Sequence, residues 1–304
     1  MKPLLEVKIG ELTLKNPVLT ASGTFGYGLE YSQFFDISKL GGIVVKGLSL
    51  RPKEGNPPPR IYETPCGMIN SIGLQNIGFD AFVKEKLPFL KKFDTKIIAN
   101  FFGENLEEYE ELAQKLDATD GIHALEMNVS CPNKTSEWRM MGLQPELLRE
   151  AVRKVRSKVK KTLIIKLSPQ VMDIAYMAKI CEEEGADAIS LINTIPAMVI
   201  DVKTKKSLIG TLTGGLSGPA IRPIAVRMVW EVAKAVKVPV IGIGGIVNGR
   251  DALEFFIAGA KAVAVGTANF INPLSSIEII EEIEKFLIEE KIENINDFIG
   301  SLIE

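Results

Sequence analysis

Short apolar runs rich in β-branched residues alternate with longer amphipathic stretches along most of the chain. The runs are Val18 to Ala21, Gly42 to Val45, Lys96 to Ala99, Ile122 to about Val129, Leu163 to Ile165, Ala188 to Leu191, Val240 to Ile243 and Ala262 to Val265. Runs of this length suit buried strands and are too short for helices. Between them, apolar residues recur at helical spacing over Asp80–Lys92, Asn105–Leu116, Pro145–Val159, Val171–Glu184, Pro219–Val236, Gly249–Ile257 and Ile277–Glu289. A weaker helical pattern covers Leu29–Lys39. Ahead of all of them, Leu5 to Leu14 alternates apolar and polar around Gly10, which predicts a hairpin. Strands that alternate with helices imply a parallel sheet. Eight such units in about 250 residues predict an α/β fold closed into a (β/α)8 TIM barrel, one catalytic domain over residues 1–304. An open doubly wound sheet is the alternative, and it is disfavoured because no GxGxxG opens a helix after an early strand.

Three connections exceed what a barrel needs: Gly47 to Phe79, Cys131 to Gln144 and Asn193 to Ser217. Loops this long are usually functional or disordered. All three leave the C-terminal ends of strands, where barrel active sites lie, so they are expected to roof one pocket. The residues that follow the strands are Ser22, Lys46, Asn100, Asn128, Lys166, Asn193, Gly244-Gly245 and Gly266-Thr267. They are polar or glycine where the strands are apolar, which points to a polar ligand at the centre. After the last two strands, glycines let backbone N–H groups approach a phosphate. Gly214-Gly215-Leu216-Ser217-Gly218-Pro219 adds a flexible loop that closes into a helix start. On the other side, Lys46, Asn70, Asn100, Asn128 and Asn193 suit a heterocycle bearing N–H and C=O groups, because each side-chain amide both donates and accepts. Lys166, set in an apolar strand with no acid beside it in sequence, needs an anionic partner. A reduced flavin, a substrate carboxylate or a Schiff base would each supply a role for it.

Composition narrows the function further. A formal net charge of −2 offers no electrostatic reason to bind nucleic acid or an anionic membrane. No apolar run is long enough to span a membrane, and the N-terminus lacks a signal peptide's apolar core. With only Cys66, Cys131 and Cys181 and no CxxC, neither a zinc site nor an iron–sulfur cluster is expected, and a reduced, cytoplasmic setting fits best. The single histidine, His123, lies near the start of its strand, away from Cys131. That spacing opposes triad chemistry and leaves His123 structural. Cys131 follows a strand end and precedes Pro132, which holds it out of helical geometry in a turn at the barrel mouth. A reactive thiol and a small buried hydrophobe are both open readings of it.

The segments Ala21–Gly26, Val45–Gly47, Gly55–Arg60, Gly67–Asn76, Asn128–Asn133, Thr213–Gly218 and Ile243–Ile246 together resemble dihydroorotate dehydrogenase, most closely the class 1B catalytic subunit. The resemblance implies bound FMN and oxidation of (S)-dihydroorotate to orotate in pyrimidine synthesis. It assigns FMN to Ser22, Lys46, Gly47, Asn100, Asn128, Lys166, Ile192, Gly218, Gly244, Gly245, Gly266 and Thr267. It assigns the substrate to Lys46, Asn70, Ser71, Ile72, Gly73, Leu74, Asn128, Asn193 and Thr194, and the base to Cys131. It further implies a partner subunit carrying FAD and a 2Fe–2S cluster with NAD⁺ as final acceptor, and a heterotetramer built on a homodimer core. The segment Lys134–Gly142 departs from the family's usual glycines and phenylalanine. Other readings stay open: a class 1A enzyme using fumarate, a dihydropyrimidine dehydrogenase-like activity, a Schiff-base aldolase on Lys166, and a flavin- or phosphate-binding module.

Overall fold

The computed structural model describes residues 2–130 and 141–303. Cys131 and nearly all of Lys134–Gly142 therefore lie outside the described residues. The chain opens with a hairpin, β1 (Val7–Ile9) and β2 (Leu12–Leu14), whose apolar residues are buried. Gly10 turns it at φ +57°, and a Cβ there would lie 2.9 Å from Asp187 Cβ, so the hairpin packs under the start of the barrel.

The barrel strands are β3 (Val18–Thr20), β4 (Gly42–Val44), β7 (Lys96–Phe101), β8 (Ala124–Asn128), β9 (Thr162–Lys166), β10 (Ala188–Leu191), β15 (Val240–Ile243) and β16 (Ala262–Val265). They pair in parallel in that order, and β16 closes onto β3. The predicted strands and the closed fold are thus both present. Burial on both faces explains the near-continuous apolar runs.

Most helices fall where their apolar periodicity places them. Leu106–Ala118 starts at Asn105, whose side chain accepts from Glu108 N–H at 2.9 Å, and buries Leu106, Tyr109, Leu112, Ala113 and Leu116. The stretch predicted as one helix over Asp80–Lys92 is instead three pieces, Gly78–Ala81, a π-turn at Phe82–Lys86 and Leu87–Leu90. Pro88 has no N–H for the α-helical bond to Lys84, which accounts for the wider turn ahead of it. The weak Leu29–Lys39 pattern resolves into two 3₁₀ turns, Tyr31–Gln33 and Ile37–Lys39.

Two of the three long loops carry strands that periodicity did not single out. They are β5 (Ile61–Thr64) and β6 (Gly67–Asn70) in the first, and β11 (Ile195–Ala197), β12 (Ile200–Asp201), β13 (Lys206–Ser207) and β14 (Gly214–Ser217) in the second. β12 and β13 form a small hairpin, and the other four pair as β11-β14-β6-β5. This antiparallel sheet joins the loops after the second and sixth barrel strands into one roof. Its strands are short, partly exposed and rich in glycine, so they lack the apolar signal that marks the barrel strands. Among the described residues, no helix is long and apolar enough to cross a membrane.

Candidate active site

One side of the barrel mouth is built from backbone. At the tip of β15, Gly244 and Gly245 have φ of +136° and +73°, a region that glycine enters without a Cβ penalty. A Cβ on Gly245 would lie 2.8 Å from Gly218 O, and one on Gly218 would lie 2.7 Å from Gly67 Cα. The tips of β14 and β15 are therefore packed backbone to backbone. Ile192 lies beside them: its N–H donates to Ile243 O at 2.9 Å, and its Cγ1 is 3.5 Å from where a Cβ on Gly244 would sit. Thr267 closes the corner by donating from Oγ1 to Ser217 Oγ at 2.8 Å. Gly266 faces Ala21 and Thr24 across ordinary contact distances, which brings the Ser22 turn to the same corner. An ion pair between Arg222 and the buried Asp251 braces it, since Arg222 packs on Gly245 and Asp251 Oδ2 accepts from Val247 N–H at 2.9 Å.

The other side is built from side chains. Asn128 Oδ1 accepts from Ser130 N–H at 3.1 Å and from Asn193 Nδ2 at 3.3 Å, so two predicted ligands from different strands meet directly. Tyr109 OH donates to Asn128 O at 2.8 Å and ties the strand tip to the helix outside it. Lys166 stands opposite Asn128 in register on one side and Ser190 on the other. It is only 6 % exposed, and it has no hydrogen-bond or ion-pair partner among the described residues. A lysine this enclosed, with its head group left without a partner there, suits a ligand anion. Lys46 is half-buried, and burial first and the Arg60 guanidinium second hold its ammonium below the usual lysine range. Gly47 lies against Asn100, whose Oδ1 is 2.8 Å from where a glycine-to-alanine Cβ would sit.

The roof brings the remaining predicted residues over this floor. Asn70, at the end of β6, donates from Nδ2 to Gly215 O at 3.2 Å. Thr194 packs on the same Gly215, and its N–H donates to Asn193 Oδ1 at 2.8 Å. Ser71 to Leu74 follow as a loop that is tethered to the Asn56–Arg60 segment. Ser71 N–H donates to Arg60 O at 2.7 Å and Asn56 N–H to Ile72 O at 3.1 Å. Gly73 and Leu74 both take positive φ, +72° and +59°. For leucine that region costs roughly 1–2 kcal/mol. Asn76 offsets part of it by donating from Nδ2 to Leu74 O at 3.0 Å, while its Oδ1 accepts from Gly78 N–H at 2.8 Å.

Two hydroxyls here are buried with no hydrogen-bond partner among the described residues, Ser71 Oγ and Ser130 Oγ. Buried polar groups are nearly always paired, so orphans at one mouth suit a site that a polar ligand completes. A cavity of about 460 Å³ opens next to this mouth, lined by Gly23, Thr24, Tyr31 and Asn269. Another, of about 380 Å³ beside Lys8, Gly10 and Lys261, lies at the opposite end of the barrel and away from these groups.

The structure adds residues that the sequence reading did not pick. Ser217 and Arg60 are two. Glu126 is the third: Asn100 Nδ2 donates to its Oε2 at 2.6 Å, and Ser190 Oγ to its Oε1 at 2.7 Å. An acid therefore does stand on Lys166's side of the barrel, on the neighbouring strand rather than on its own. The available signal was a charged residue inside an apolar run, two positions before Asn128 and so on the same face. His123 accepts at Nδ1 from Ile97 N–H at 3.0 Å, the structural place expected of it.

Comparison with known proteins identifies the family. The family model described as dihydroorotate dehydrogenase matches residues 4–287. The dihydroorotate dehydrogenase B (NAD(+)) catalytic subunit of Thermodesulfovibrio yellowstonii is 77% identical over 99% of this chain and 100% of its own. Its counterpart from Thermoanaerobacter sp. (strain X514) is 55% identical over 98% of both. The dihydroorotate dehydrogenase of Eimeria tenella, solved with ferulenol, superposes with a TM-score of 0.80 at 24% identity, over 98% of this chain and 88% of that one. At that identity the likeness speaks for the fold alone.

Proposed function

The chain belongs to the dihydroorotate dehydrogenase family, and from that premise we propose that it oxidises (S)-dihydroorotate to orotate in pyrimidine synthesis, as one FMN-binding domain whose electrons pass through a partner subunit to NAD⁺. The observation that carries this reading is the pairing of two unlike halves at one mouth. A glycine corner suits a phosphate, and an amide-and-lysine cluster suits a charged, hydrogen-bonding ring. The residues present fit FMN. Ser22, Gly218, Gly244, Gly245, Gly266 and Thr267 would hold its phosphate end, with Ile192 beside them. Lys46, Gly47, Asn100, Asn128 and Lys166 would hold its ring end, and the lack of a partner for Lys166 among the described residues supports that assignment.

When bound, FMN supplies the acceptor for the hydride from C6 of the substrate. The protein does the rest. Lys46 offers a cation to the substrate carboxylate, and that anion would restore what burial takes from its charge. Asn70, Asn128, Asn193 and Thr194, with the loop from Ser71 to Leu74, orient the pyrimidine ring and keep water from it. Cys131 Sγ removes the C5 proton as general base, an assignment that rests on its place after Asn128 and Ser130 in the chain. An ordinary thiol titrates near about pH 8.5, so turnover should rise toward alkaline pH. The partner is expected to carry FAD and a 2Fe–2S cluster in an assembly of two catalytic and two electron-transfer subunits around a catalytic homodimer.

An anaerobic spectrum tests the whole reading. The purified chain should be yellow and should bleach on addition of dihydroorotate. A colourless preparation that takes up no added FMN would reject it. Bleaching by dihydrouracil in preference to dihydroorotate would reassign the substrate, and reoxidation by fumarate without a partner would reassign the acceptor.

A further inference from the structure

We propose that Glu126 is a positioning residue: it sets which way the Asn100 amide faces and tunes the electrostatic field that Lys166 presents to the flavin. This rests on FMN occupying the mouth as proposed above. Glu126 is 1 % exposed, yet both groups that donate to it, Asn100 Nδ2 and Ser190 Oγ, are neutral. Its carboxylate is thus hydrogen-bonded, with no ion-pair partner among the described residues.

The bond to Ser190 runs from β8 to β10, which β9 separates, so it crosses the inside of the barrel rather than following the sheet. Glu126, Asn128, Lys166 and Ser190 therefore share the inward face, and Glu126 lies one layer below the Asn128–Lys166 pair. A side-chain amide can face either way, with its oxygen or its nitrogen forward. A carboxylate beside Asn100 allows one of the two, because the flipped amide would set oxygen against oxygen. With Nδ2 held by Glu126, Oδ1 faces the Gly47 backbone at the tip of β4. Glu126 touches neither substrate nor flavin in this scheme. It acts through Asn100 and through its charge beneath Lys166.

The test is the flavin midpoint potential of the FMN-loaded chain, read by spectroelectrochemical titration, together with FMN affinity of the apoprotein. Glu126→Gln keeps the shape and an oxygen acceptor for Asn100 but removes the charge. It should favour reduced over oxidised flavin by about tenfold, a rise of ~30 mV for a two-electron couple. FMN affinity should stay within about threefold, because the glutamine oxygen still accepts from Asn100 Nδ2, although an amide no longer excludes the flipped Asn100 as a carboxylate does. Glu126→Val removes acceptor and charge together and should also weaken FMN binding by tenfold or more. Ser190→Ala withdraws one donor from the carboxylate and should move the potential the other way, by about threefold in the same ratio.

A Glu126→Gln protein with an unshifted potential overturns the proposal, as does a Ser190→Ala protein whose potential rises or stays put. If Glu126→Gln does not fold, Ser190→Ala decides alone. Wild-type protein that fails to take up FMN or to bleach with dihydroorotate would instead sink the reading this rests on, before any variant is compared.

Discussion

At the mouth of the barrel, the tips of β14, β15 and β16 present backbone, whereas the tips of β4 and β7 to β10 present side chains. The first corner is defined by what cannot be there. Gly67, Gly218 and Gly245 lie so close that a methyl group on any of them would meet main-chain atoms. The second is defined by what must be there: amides that pair with each other, a lysine with no partner among the described residues, and a carboxylate beneath them. A phosphate is recognised by N–H groups in any sequence that lets the backbone approach. A ring with ordered donors and acceptors needs particular side chains. The difference teaches that substitution should fail differently on the two sides, by steric exclusion of the cofactor on one and by altered chemistry on the other.

Cys131→Ala would sharpen this contrast most. It should slow flavin reduction by about 10²- to 10⁴-fold while the protein stays yellow. Stopped-flow mixing with dihydroorotate measures it, and near-normal reduction would remove the thiol from the chemistry. Next in size, Gly245→Ala should weaken FMN binding by about 10- to 100-fold. It combines a strained φ of +73° with a Cβ 2.8 Å from Gly218 O. Gly266→Ala, whose Cβ meets nothing closer than 3.6 Å in the protein, is the control. Equal losses in the two would mean that closeness to the phosphate, not packing of the backbone, governs this corner.

On the side-chain half, Lys166→Met should leave FMN bound and disfavour the reduced flavin by roughly tenfold, read as a fall in midpoint potential. An unchanged potential would break the contrast between the two corners. His123→Ala should cost about 0.5–1.5 kcal/mol of stability through its lost bond to Ile97 N–H, without changing turnover.

The smallest effect is a pH dependence. Lys46 is held below the ordinary lysine value in the folded apoprotein, mainly by burial and then by Arg60. Between that lowered value and the ordinary one, the unfolded chain binds more protons. Stability should therefore rise with pH across that window. Thermal melts of wild type against Lys46→Met should isolate this slope, and bound dihydroorotate should flatten it by favouring the charged form.

The barrel was open to sequence reading because its signals are local. A buried parallel strand announces itself within a few residues, and all eight expected runs became barrel strands. The glycines at the tips of β15 and β16 were equally plain, since their role depends on their own backbone and on the strand before them. The roof was only half visible. Loop length marked the two segments, but their strands are too short and too polar to show a period. The helix expected over Asp80–Lys92 broke up because Pro88 outweighed an otherwise good apolar pattern.

The chain by itself determined the barrel, the order of its tips and most of the residues that gather there. Periodicity, glycine and proline act over one or two turns of chain, so no distant partner is needed to read them. Only the tertiary structure decided how those residues are joined. Asn70 meets Gly215 across 145 positions, and Glu126 meets Ser190 across 64, through a barrel interior that does not exist until the sheet has closed. A carboxylate in an apolar run has no evident purpose along the sequence, because its donors come from strands that only closure brings around it.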